Sequence, residues 1–168
     1  MTFTLGDVDD AGTLASADPV RLLDAVERHV QHTTVFVQAG GIHVPASHSR
    51  IHAFLEDSVR EVLPPRDGHL FHPKIWAVRY IHEHSGDRHH RVVISSRNLT
   101  LDNSWDTVLV LDEDPHGAIA AAPAADLITR LPDLTTVPLP AARRTGVDDL
   151  AETLRAVQLA APRPFTDG

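Results

Sequence analysis

A chain of 168 residues with a hydrophobic fraction of 42% can bury a core, and reads as one globular domain rather than a disordered segment. It has no cysteine, which excludes disulfides and cysteine-ligated zinc; no apolar run reaches the roughly 18 residues that span a bilayer, and MTFTLGDVDD lacks the basic and apolar parts of a signal peptide, so a cytoplasmic protein is expected. The formal net charge of -8 opposes a long, non-specific grip on a polyanion, although Arg79, Arg88, Arg91 and Arg97 supply a local positive field along one stretch.

Residues 1–17 read as a short edge strand and a loop. Asp18-Pro19 opens a helix with an apolar stripe of Val20, Leu22, Leu23, Val26 and Val30, and TTVFVQ over 33–38 predicts a strand. The strand ends in Ala39-Gly40-Gly41, where glycine amides could approach a phosphate, although an ordinary turn is the simpler reading. A second helix is expected over 47–62, its stripe formed by Ile51, Phe54, Leu55, Val59 and Val62 and its stop by Pro64-Pro65. His48 and His52 have the i, i+4 spacing of metal ligands, but the general-base glutamate of H-E-x-x-H is missing, so a solvated helix face accounts for them better.

The stretch from His69 to Asp112 carries the chemistry. Side chains alternate in a strand, so His72 and Lys74 share a face with Trp76, Val78 and Tyr80, and a nucleophile stands beside a fixed cation. HEHSGDRHH reads as a hairpin loop, and the β-branched run from Arg91 to Ser95 returns Ser96 and Asn98 towards His72. An imidazole, an ammonium, a hydroxyl and a carboxamide around one point suit a tetrahedral phosphate without a metal or other cofactor. Lys74 is the only lysine, placed where a compact ammonium fits and a guanidinium fork would crowd the nucleophile. The loop histidines His82, His84, His89 and His90 can bind a transition metal, but read more simply as a flexible exposed loop.

Beyond Asn98, Trp105 reads as a core or rim aromatic, and Asp106 begins a strand over 106–111 where it can orient His72 or merely open the strand. A helix is expected from Ala124, because Pro123 must start or kink it, then an extended segment over 135–140 and a last helix over 146–159. APRPFTDG, residues 161–168, reads as a tail or linker after a single half-domain over 1–160. These elements predict an α/β fold, a mixed β-sheet flanked by helices on both faces.

His72-x-Lys74, then Asn98 after a hairpin with Ser96 two residues before it, and Asp106 after Trp105, together resemble the phospholipase D superfamily over about a quarter of the chain. That family has an aspartate five residues after the lysine; here the position is Arg79, which moves the likeness towards the tyrosyl-DNA phosphodiesterase pattern, in which His, Lys and Asn suffice. The resemblance implies an α-β-α sandwich and metal-independent cleavage or transfer of a phosphodiester through a phosphohistidine. His72 would act as nucleophile or acid, Lys74 and Asn98 would hold phosphate oxygens, Ser96 and Arg97 would contact substrate, and Asp106 would orient the imidazole. Nucleic acid is the favoured substrate, with phospholipid the alternative.

That mechanism needs two histidines, and a chain with one lysine holds only one His-x-Lys. The partner is therefore expected to be a second copy in a homodimer, or a second phospholipase D-like half. A non-catalytic module for dimerisation or partner docking is the alternative, favoured by Arg79 and the solitary motif.

Overall fold

The computed structural model describes residues 27–42, 56–66, 68–97 and 104–161. Two sheets organise them. A parallel pair is made of β1 (Val35–Gln38) and β2 (Val59–Val62). A five-stranded antiparallel sheet has the order β3 (Ile75–Ile81), β4 (Arg88–Ser95), β5 (Val108–Glu113), β7 (Gln158–Ala160), β6 (Ile119–Ala120). The helices α1 (Ala122–Arg130) and α2 (Ala141–Arg155) follow in sequence, separated by a 3-10 turn at Leu131–Leu134. No helix among these residues is long and apolar enough to cross a membrane.

The β3–β4 hairpin forms because apolar residues alternate with a second series on both strands and Gly86, at φ 73°, supplies the left-handed turn. Asp87 and Ser85 complete the turn: the Ser85 hydroxyl donates to Asp87 Oδ2 at 2.6 Å, and the Ser85 amide to His82 Nδ1 at 3.1 Å. Residues directly opposite in an antiparallel ladder point to the same side. Ala77, Val92 and Leu111 therefore share one face, and Trp76, Val93 and Val110 share the other.

Among the described residues, helices cover only the first of these faces. Val92, Leu111 and Leu159 join Ala125 and Ile128 of α1 and Val147, Ala151 and Leu154 of α2 in one buried core. The spacing 147, 151, 154 is a helical stripe, which is why α2 turns that side to the sheet. On the opposite face no residue of β3, β4 or β5 is buried.

A polar network ties α2 to the hairpin at the edge of the core. Arg79 donates to Asp149 Oδ2 at 2.7 Å and to Thr153 Oγ1 at 3.1 Å. His90, only 2% exposed, has Nδ1 2.7 Å from Glu113 Oε2 and Nε2 3.0 Å from Thr153 Oγ1, while its backbone N–H donates to the same glutamate oxygen at 2.7 Å. His89 and His90 thus belong to β4, and the His-rich loop shrinks to His82 and His84.

Several expected elements shift. Val59 and Val62 lie in β2, not on a helix, because β1 and Thr135 offer that segment backbone partners; residues 43–55, with His48 and His52, lie outside the described set. Helix α1 starts at Ala122 with Pro123 in its first turn, where a missing N–H costs nothing. Helix α2 runs from Ala141, since Ala-Ala-Arg-Arg favours helix more than Gly146 opposes it, and it stops at Arg155 because Gln158–Ala160 pair with β5 and β6. Gly117 lies so close to β7 that a Cβ there would sit 2.4 Å from the Leu159 carbonyl.

Candidate active site

The residues before β3 are held in place from β1. Gln38, the last residue of that strand, accepts the Phe71 N–H on its side-chain oxygen at 3.0 Å. At the other end of the segment the Ser95 N–H donates to the Lys74 carbonyl at 2.9 Å, so the ladder continues one residue beyond β3 and sets Lys74 opposite Ser95, on the uncovered face. His72 is then anchored from both sides. Its ring stands beside the ammonium, with Lys74 Nζ 2.8 Å from Nδ1 and 3.1 Å from Nε2. The ring nitrogen that carries no proton accepts from the ammonium.

The next two strands meet in a second pair. The Ser96 hydroxyl donates to Asp106 Oδ1 at 2.5 Å, and the Ser96 N–H donates to the same oxygen at 3.1 Å. The Ser96 N–H also points to the Thr107 carbonyl at 3.0 Å, and Thr107 N–H returns to Ser96 Oγ at 3.0 Å. The Ser96 hydroxyl bond above all, with the neighbouring amides, holds the Asp106 carboxyl below the ordinary carboxylate range. Ser95 adds a bond from its hydroxyl to the Arg97 carbonyl at 2.9 Å. The pair therefore clamps the base of the connection that carries Asn98.

His72 and Lys74 are brought together, and so are Ser96 and Asp106. Both pairs lie at the same end of the sheet on neighbouring strands, because Lys74 is opposite Ser95. Among the described residues no hydrogen bond joins one pair to the other, and the Asp106 carboxylate holds Ser96 instead of the His72 ring. Asn98 lies outside the described residues.

Arg79 is turned the other way. Five residues after Lys74 is an odd step along a strand, so its side chain emerges on the helix-covered face and serves α2. The glycine pair after β1 is a turn with both amides occupied: Gly40 N–H donates to Glu61 Oε1 and Gly41 N–H to the Gln38 carbonyl, each at 2.9 Å, so the phosphate-cradle reading falls. Among the described residues no group of three or more His, Cys, Asp or Glu side chains is placed to hold a metal ion. Trp105 is 97% exposed and is no core residue.

Gln38 is the positioning residue that the sequence pattern left unmarked. Its signal was a polar residue closing an apolar strand, just before two glycines. No family model, curated protein or solved structure matches the chain.

Proposed function

We propose that the chain is one half of a metal-independent phosphodiesterase of the phospholipase D type, acting on a phosphodiester of nucleic acid. The observation that carries this reading is the juxtaposition of His72 and Lys74 at the mouth of the antiparallel sheet, 2.8 Å apart and anchored through Phe71 and Ser95.

In this reading the imidazole of His72 attacks phosphorus in line. The phosphorus–oxygen bond to the leaving group breaks, a phosphohistidine forms, and the leaving oxygen takes a proton from the His72 of a second copy. Lys74 turns from the ring to a non-bridging oxygen, where a fixed ammonium stabilises the charge that builds up in the transition state. Asn98 supplies a further donor to that oxygen pair. Ser96 and Asp106 keep the Asn98 connection in register, and Arg97 contacts the substrate. Water, activated by the second imidazole, then cleaves the phosphohistidine and restores the free ring.

The test is hydrolysis of bis(p-nitrophenyl) phosphate in the presence of EDTA. Activity that resists EDTA and disappears in His72→Asn is expected. Activity that EDTA abolishes, or that survives in His72→Asn, contradicts the mechanism. No activity from a properly assembled protein returns the chain to a non-catalytic module.

A further inference from the structure

We draw no further inference here: the strongest candidate, the apolar face of the antiparallel sheet around Trp76, Val93 and Val110 that α1 and α2 do not cover, carries nothing because nothing in the structure shows what covers it.

Discussion

The ammonium of Lys74 lies 2.8 Å from Nδ1 of His72, so in the free protein the cation and the candidate nucleophile are partners of each other. In the proposed mechanism, substrate parts them. The lysine stem has the freedom to swing its charge to a phosphate oxygen while the backbone on either side of His72 stays anchored through Phe71 and Ser95.

Lys74→Ala is therefore expected to lower kcat for bis(p-nitrophenyl) phosphate by about 10²–10³-fold, the usual cost of one transition-state donor. Lys74→Arg should recover little, since the planar fork is wider than an ammonium and would crowd the ring beside it. Neither change touches the core, so urea denaturation should shift by less than about 0.5 kcal/mol. Full activity in Lys74→Arg would remove the compact-cation argument.

The Ser96–Asp106 clamp predicts a pH effect. The carboxyl is depressed in the folded chain by the Ser96 hydroxyl, so its contribution to stability is present above the ordinary carboxylate pKa of about 3.9 and is lost as pH falls through the depressed value. Ser96→Ala should move the Asp106 titration, followed by carboxyl carbon NMR, up towards the ordinary value and flatten the stability profile below about pH 4. An Asp106 titration unmoved by Ser96→Ala would show that the hydroxyl bond is not its cause.

At position 79 the family's aspartate would be a liability here. Arg79→Asp sets a carboxylate against Asp149, and takes from Thr153 a donor that lies beside buried His90. A loss of about 2–3 kcal/mol is expected in urea denaturation, with part of it returned by the double change Arg79→Asp with Asp149→Arg. Restored or increased activity in Arg79→Asp would mean that the residue serves the site and not the helix.

Gly117 is required by contact. A Cβ placed 2.4 Å from the Leu159 carbonyl would push β7 from β5 and β6, two backbones with no flexible side chain to give way. Gly117→Ala should cost about 1–3 kcal/mol, read by urea denaturation, with the loss centred on β6 and β7 in hydrogen exchange.

The central hairpin and β5 were legible because period-two alternation and a Ser-Gly-Asp turn leave little choice; the expected His72–Lys74 adjacency is present, although both residues precede β3, which begins at Ile75 and not at 70. The role of Arg79 was not legible: it was counted with the positive field of the motif, whereas the odd step from Lys74 turns it to the other face, where its partners Asp149 and Thr153 are distant in sequence. Strands β2 and β7 were not legible. Val59–Val62 and Gln158–Ala160 are short, and each becomes a strand through partners distant in sequence: β1 for one, β5 and β6 for the other. Asp106 was half legible: its place at the strand opening could be read, but its choice of Ser96 over His72 depends on backbone geometry where β4 and β5 meet.

The most direct measurement is a search for the covalent intermediate. Protein mixed with bis(p-nitrophenyl) phosphate, quenched at alkaline pH to preserve phosphorus–nitrogen bonds and digested for mass spectrometry, is predicted to carry one aryl phosphoryl group on the peptide containing His72, absent in His72→Asn. Turnover that proceeds with that peptide unmodified, or an adduct on a different residue, would contradict the account.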